Sequence, residues 1–517
     1  MLKIDELKIY QDLTEEEVIE KALKKNRILP QDVLSCEIIK KSIDARDKKD
    51  VHYSYALQIE VKDERKYPKI KKCEKKDREP ITVNRKSTYR PVVVGAGPAG
   101  LFCALTLVDN GINPIIVEQG ECVEKRMQTV EIYQSSGKLN PLSNVQFGEG
   151  GAGTFSDGKL TTGVNSPLIR SVLQSFYQFG APKEVTYLNK PHIGTDNLVK
   201  IISNMRHYME EKGAEYHFNT KFESFEKEGN LFKIHCSNGL DFVTDTLVLA
   251  TGHSARSVFE LLINKNVEMA RKNFSVGVRI EHKQKMINES QYGTFTTLKL
   301  PAADYKLVYH GEERSCYTFC MCPGGEVIAS SSEEDGIVTN GMSCFNRDKE
   351  NANAALLVNV LTTDFDNEDL MSGIYMQRDL EQKAYQLAGS NGYAPAQRVE
   401  DFLKGQPSTA VGHIQPTYRP GVTLTDLNQI LPDFVSKTLK EAIPYFDRKI
   451  KGYNDPDAIM TGVETRTSSP LTILRNQDLE SSISGIYPCG EGAGYAGGIT
   501  TAAIDGIKVA IKILEKN

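Results

Sequence analysis

The chain has 517 residues, 40% hydrophobic and 25% charged, too long for one hydrophobic core and ordinary for a globular protein of two or three domains. A net charge of −5 exerts no global pull toward nucleic acid or an anionic membrane, and no apolar run approaches the roughly 20 residues of a membrane-spanning helix. The first residues are acidic without an apolar signal core, and ten scattered cysteines make no disulfide scaffold, so a cytoplasmic protein with reduced thiols is expected.

Residues 1–62 read as a small α+β module of order β-α-β-β. LKIYQ is strand-like, Thr14-Glu15-Glu16-Glu17 is a capping box opening a helix, and strands are expected over 33–41 and 51–61. Residues 63–90 form a basic linker; with Lys62 the stretch holds twelve Lys or Arg against five Asp or Glu. It reads as a solvated connector, with contact to nucleic acid or an acidic partner as the alternative.

The most informative stretch is 91–118, PVVVGAGPAGLFCALTLVDNGINPIIVE. Val92, Val93 and Val94 form the β-branched run of a strand buried on both faces. Gly95, Gly97 and Gly100 follow in G-x-G-x-x-G spacing. The first permits the tight turn, the second lets backbone approach a pyrophosphate, and the third lets the helix pack on the strand. Pro98 and Ala99 open that helix, whose free N–H groups and positive dipole end would face phosphates. A second strand ends in Glu118, placed to hydrogen-bond ribose hydroxyls, with Gln119 beside it. A dinucleotide site follows from the whole unit, not from the glycines alone.

Residues 91–269 form the first part of this nucleotide-binding domain. Arg126 lies one helical turn into the next segment, where related flavoproteins place an arginine near the pyrophosphate. Residues 146–162, QFGEGGAGTFSDGKLTT, hold five glycines among small hydroxyls. Such a loop brings backbone close to a planar ring, with Gly151, Gly153, Thr154, Phe155, Ser156 and Lys159 as candidates. Two helix-like segments occupy 168–218, and strands occupy 219–252. Phe222 lies where such folds pair backbone with an adenine edge, and DTLVLATG ends in Thr251 and Gly252. His253 either approaches the pyrophosphate or closes the turn.

Residues 270–460 change to mixed strands and helices, the expected substrate domain. No second G-x-G-x-x-G occurs in it, so NAD(P)H, if used, binds transiently. Residues 461–517 return to the nucleotide through IYPCGEGAGYAGGI, with Gly490, Glu491, Gly497, Gly498 and Ile499 as contacts before a final helix. Flavoproteins of the glutathione-reductase type revisit their cofactor through just such an ATG strand and late glycine-acid stretch. The order points to FAD rather than NAD. The fold class expected is therefore α/β: a Rossmann-like FAD-binding domain of glutathione-reductase type, an inserted α+β substrate domain, and the small N-terminal α+β module.

Five segments carry a closer resemblance: residues 146–160, Tyr317–Gly325, Asn340–Ser343, Gly462–Pro470 and Gly490–Gly498. They resemble the bacterial uncharacterised FAD-dependent dehydrogenase family over residues 90–515, and the N-terminal module is also typical of it. The resemblance implies FAD and an oxidoreductase fold. It implies no substrate.

Flavin chemistry resides in the isoalloxazine, which the protein positions and tunes. Glu491 is expected at the ribityl or ribose hydroxyls, and Gly497, Gly498 and the following helix N-terminus at the flavin N1 and O2 side. The catalytic residue is not named by the sequence; candidates are Lys159, Arg466, Arg279 and His282. Glu464 and Arg466 are strand-spaced and share a face, either as an ion pair or with Arg466 free for an acidic substrate. Arg279 and His282, three apart, cannot share a face, so one faces the site and the other is solvated. Cys316, Cys320 and Cys322 would line one strand face as packed thiols; no metal site is expected, and the CxxxxC of disulfide reductases is absent after Glu118.

The function expected is an FAD-dependent oxidoreductase, a dehydrogenase or reductase, moving hydride between flavin N5 and a small organic substrate. NAD(P)H would be a transient donor, and an electron-carrier protein is a further partner. The alternatives are a flavin monooxygenase and an RNA-associated flavoprotein using the module and linker. The lack of aromatic residues among the basic ones argues against nucleic acid.

Overall fold

The computed structural model describes residues 1–74, 80–366 and 368–516; of the basic linker, residues 75–79 lie outside these. Its centre is a five-stranded parallel sheet in the order Ile486–Pro488, Leu247–Leu249, Val92–Val94, Ile115–Val117 and Glu215–His217. The Val92–Val94 run is central and fully buried, as a β-branched strand between two neighbours must be. Glu215–His217 has no sequence signature, because three half-buried polar residues at a sheet edge show neither an apolar run nor an alternation. A three-stranded antiparallel meander, Phe222–Glu228, Leu231–Cys236 and Asp241–Thr244, is inserted between the parallel strands Glu215–His217 and Leu247–Leu249. The mixed α/β class holds.

The C-terminal return completes this domain. Ile486–Pro488 adds the edge strand, and the helix Ile499–Glu515 packs along the helix Pro98–Asp109. Their approach is close: a Cβ on Gly506 would lie 2.1 Å from the Ala99 carbonyl oxygen.

The second domain is built on a seven-stranded sheet, ordered Val308–His310, Ser315–Cys322, Asn351–Val360, Phe274–Lys283, Ile459–Glu464, Ala394–Arg398 and Val422–Leu424. Its long central strands, Phe274–Lys283 and Asn351–Val360, are buried almost throughout. The helix Asp433–Asp447 and the hairpin Glu326–Ala329/Thr339–Met342 pack against them. The expected boundary at 460 cuts a strand, since Ile459–Glu464 belongs wholly to this sheet. The chain leaves and re-enters the nucleotide domain through a two-stranded ribbon, Met269–Arg271 against Leu471–Ile473.

The N-terminal module has the expected β-α-β-β order, and its helix Glu15–Lys25 opens on the Thr14/Glu17 capping box. Its boundary at 62 is corrected: Lys71–Lys72 pairs with Leu2 and Lys3 as a fourth strand, and Tyr67 is buried beneath it. Nor is the basic stretch wholly solvated. Asn84 and Arg85 donate backbone N–H groups to the Leu514 carbonyl, Arg85 pairs with Asp245 at 2.5 Å, and Arg90 pairs with Glu215 at 2.6 Å. Among the described residues no helix is long and apolar enough to cross a membrane.

The helix pair at Gly506 gives a direct test. Gly506→Ala forces the helices apart in a packed core and should lower the urea-unfolding free energy by about 1–3 kcal/mol.

Candidate functional site

The glycine turn after Val92–Val94 is built by close approaches. Gly95 has φ +102°, and a Cβ there would lie 2.4 Å from the Ala250 carbonyl oxygen. A Cβ on Gly100 would lie 1.9 Å from the Gly95 carbonyl oxygen, so Gly100 serves helix-on-turn packing. Gly97 is the N-cap of the helix Pro98–Asp109 and no side chain caps it, which leaves the first N–H groups to a ligand. Glu118 is buried, and its carboxylate accepts from the backbone N–H groups of Ala96 (2.8 Å), Gly120 (3.0 Å) and Gly148 (3.0 Å). A carboxylate has about four acceptor positions, so most of this one pins the turn and the glycine loop together.

Arg126 corrects the expectation that it reaches a pyrophosphate. It is fully buried and donates to five backbone carbonyls: Asn144 (2.8 Å), Val145 (2.9 Å), Gly148 (3.2 Å), Glu149 (2.7 Å) and Gly151 (3.0 Å). Its guanidinium lies 4.9 Å over the Phe155 ring. A Cβ on Gly148 would lie 2.4 Å from the Arg126 Cδ, so glycine there makes room for the arginine. Burial pushes Arg126 down to about 10, opposed by the nearby Glu118 and Glu149 charges. Thr154 and Phe155 are likewise turned inward with this loop rather than toward a ligand.

A large cavity runs between the two domains. From the expected set, Gly95, Gly97, Pro98, Ala99, Glu118, Gln119, Gly151, Gly153, Ser156, Lys159, Phe222, Thr251, Gly252, Glu491, Gly497, Gly498, Ile499 and Arg466 border it. Gly100, Arg126, Thr154, Phe155, Gly490, Arg279 and His282 do not. Gly490 acts from behind: its N–H donates to Asp505 at 2.7 Å, and Asp505 is held by Arg475 at 3.0 and 3.1 Å. A Cβ on Gly252, Gly497 or Gly498 would meet nothing within 4 Å, which is the open cradle a ligand fills. The helix Ile499–Glu515 starts at this cradle on an uncapped Gly498, so a second helix N-terminus faces the cavity. His253 borders it too, with Nδ1 3.4 Å from Glu491 and a buried, unpartnered Nε2. A nucleotide with two phosphates and a flat ring fits this donor set.

The second domain supplies the far wall, through Phe319, Cys320, Cys322, Asn340, Gly341 and Glu464. All lie in segments whose resemblance was noted, but only Glu464 and the cysteines were weighed from the sequence. Arg279 is fully buried behind this wall, bidentate to Glu464 at 2.5 and 3.0 Å, and it also donates to the Cys320 carbonyl and to Asn340 and Asn353. Glu464 and Arg466 do not pair with each other. Arg466 is bidentate to Glu381 at 3.0 and 2.8 Å, and Arg256 holds the same carboxylate at 2.9 and 3.0 Å. Burial alone would raise Glu381, but the two guanidinium groups hold its carboxyl at about 2. Arg466 is thus committed rather than free for an acidic substrate.

His282 is corrected as a candidate. It is buried, donates from Nε2 to the Tyr453 carbonyl at 2.7 Å, stacks obliquely on the Tyr453 ring, and is pushed by burial down to about 4. Neither it nor Arg279 is solvated. Lys159 remains on the cavity wall and reaches across the domain boundary to the Met321 carbonyl, while Asp157 beside it pairs with Arg347. The three cysteines do not share a face. The strand is bulged between Phe319 and Cys322, and Cys320 has φ +39°. Cys316 points into the core, whereas Cys320 and Cys322 reach the cavity.

Two predictions follow from these charges. Arg126→Met leaves five carbonyls without their donor, each costing about 1–3 kcal/mol when buried, and should drop FAD content of the purified protein at least about tenfold. Glu381→Ala strands two buried guanidinium groups and should cost about 3–5 kcal/mol in urea unfolding. Because the folded-state value of Glu381 is depressed, its contribution is present above the unfolded value of about 4.3 and is lost as pH falls toward 2; Glu381→Gln should flatten that acid limb.

Residues 273–467 match the family described as FAD-dependent protein, C-terminal domain-like, and residues 1–60 match a domain of unknown function. Among solved structures, CtdE in complex with FAD is 10% identical, covers 81% of this chain and 82% of its own, and gives a TM-score of 0.32. The halogenase PltM is 10% identical, with coverages of 82% and 67% and a TM-score of 0.38. Both likenesses are loose, and neither bears on activity. A protein of Clostridium beijerinckii, described as uncharacterized, is 47% identical over 518 residues, 96% of each chain. The cofactor of the present chain is FAD, and the chain belongs to the family of that clostridial protein.

Proposed function

We propose that the protein is an FAD-dependent oxidoreductase, a dehydrogenase or reductase acting on a small organic substrate, with NAD(P)H as a transient donor. The observation that carries this reading is the cavity itself. One wall is nucleotide-binding backbone, the other is a wall of substrate-domain side chains, and two uncapped helix N-termini open onto it. The parallel sheet with its inserted meander and C-terminal return supports an arrangement of glutathione-reductase type.

Bound FAD supplies a two-electron donor and acceptor at N5. The chain's part is to hold and polarise it. The helix N-terminus at Pro98 offers N–H groups to the pyrophosphate, and the Glu118 clamp fixes the turn that presents them. Gly497, Gly498 and the helix N-terminus at Ile499 would hold the flavin ring, and that positive dipole end would favour negative charge on it. Lys159 and the Asn340 amide border the space left for substrate. The His253–Glu491 pair, with a buried ring nitrogen still free, is placed to hold or pass a proton. Among the described residues no second glycine-rich strand–turn–helix provides a resident nicotinamide site, which supports a donor that comes and goes.

Two experiments test the reading. Anaerobic mixing with NADH and NADPH should bleach the flavin absorbance band with one of them; a flavin left oxidised by both would remove NAD(P)H from the proposal. Gly497→Val adds a side chain into space that no protein atom occupies, so it should leave the melting temperature of the apoprotein within about 1 °C while weakening FAD binding at least about tenfold. Unchanged FAD affinity would overturn the assignment of this cradle.

A further inference from the structure

Cys320 and Cys322 are thiols two residues apart on the strand Ser315–Cys322. On a regular strand they would project side by side, too far apart and too parallel for a disulfide. Here the strand carries one extra residue, since Phe319 pairs with Ala355 and Cys322 with Asn353, and Cys320 turns into the left-handed region. The Cys322 sulfur lies 3.2 Å from the Cys320 carbonyl oxygen, and both residues border the FAD cavity.

The turn between them is held from two sides. Arg279 donates to the Cys320 carbonyl at 2.8 Å, and Lys159, from the glycine-rich loop of the other domain, donates to the Met321 carbonyl. Opposite them, a Cβ on Gly341 would lie 3.0 Å from the Cys322 sulfur, so the facing strand leaves space for the thiol. The turn meets the glycine loop through Lys159, and its two cysteines border the same cavity as Gly497 and Gly498. Cys322 is buried and Cys320 is exposed, so the two thiols differ in their access from the cavity.

Resting on the FAD oxidoreductase reading, we infer that Cys320 and Cys322 are a redox pair that exchanges two electrons with the FAD. In the oxidising direction the two S–H bonds break, one S–S bond forms, and the two electrons and two protons released reduce FAD to its dihydro form. In the other direction the reduced cofactor returns them and the dithiol is restored. The pair gives the protein a thiol–disulfide outlet on the cofactor's substrate side. No further oxidant or reductant is needed for the step.

The test uses the full-length FAD-loaded protein, air-oxidised and then titrated anaerobically with dithionite. Wild type should take up four electrons per FAD, two for the disulfide and two for the flavin. Cys320→Ser and Cys322→Ser should each take up two, and Cys316→Ser, which alters a thiol in the core, should still take up four. The peptide bearing residues 320 and 322 from the oxidised protein should be about 2 Da lighter than after reduction. A yellow wild-type protein that takes up only two electrons, with both thiols free in that peptide, would overturn the redox pair and leave the flavoenzyme reading standing. A protein that binds no FAD would overturn both.

Discussion

Everything at the cofactor end of the molecule depends on how one buried cation is solvated. Arg126 has no carboxylate in contact; its charge is satisfied by the carbonyls of residues 144 to 151. An ion moved from water into such an interior is costly unless its hydrogen-bonding positions are filled, and backbone carbonyls accept from each of its three nitrogens. The reverse also holds. A glycine-rich loop has little conformational preference of its own, and carbonyls turned toward a single guanidinium give it one. Glu118 does the same for N–H groups on the opposite side, so the loop is fixed by one residue of each charge, neither paired with the other.

The interface between the two large domains follows a different rule. There the buried charges do meet: Glu381 with both Arg256 and Arg466, and, within the second domain just behind the cavity wall, Arg279 with Glu464. Glu381 comes from a helix of the second domain, Arg256 from the helix that follows the ATG turn, and Arg466 from the segment returning to the nucleotide. Charges of this kind add little stability beyond what well-packed apolar side chains would give. Their geometric effect is larger, because bidentate guanidinium–carboxylate pairs accept a narrow set of orientations. The cavity wall is thereby set by directional contacts on both sides.

Much of this architecture was legible in the sequence wherever function imposes a local pattern. The 91–118 unit, the capping box at Thr14 and the late Gly490–Ile499 stretch each carry their own turn and helix signals within a few residues. Partnerships between distant side chains were not legible. Nothing near Arg466 points to Glu381, 85 positions earlier, and the strand spacing that suggested Glu464 as a neighbour says only that the two share a side. Arg126 was misjudged for a related reason: its partners are carbonyls, which every residue has and no sequence pattern marks. The cysteines were misjudged because a single extra residue in a strand reverses the alternation beyond it, and the bulge is a product of tertiary pairing with Asn351–Val360.

The path of the chain also bears on how the protein comes into being. The parallel sheet lacks an edge strand, and the helix Pro98–Asp109 lacks its cover, until residues 486–515 have been made. The seven-stranded sheet between them has all its strands by residue 464. On the ribosome, therefore, the later domain can reach its final shape while the earlier one still waits with an apolar helix face and an unpaired strand exposed. The nucleotide fold thus draws its last strand and the cover of its first helix from the far side of the insert, so its two halves meet only through tertiary contact.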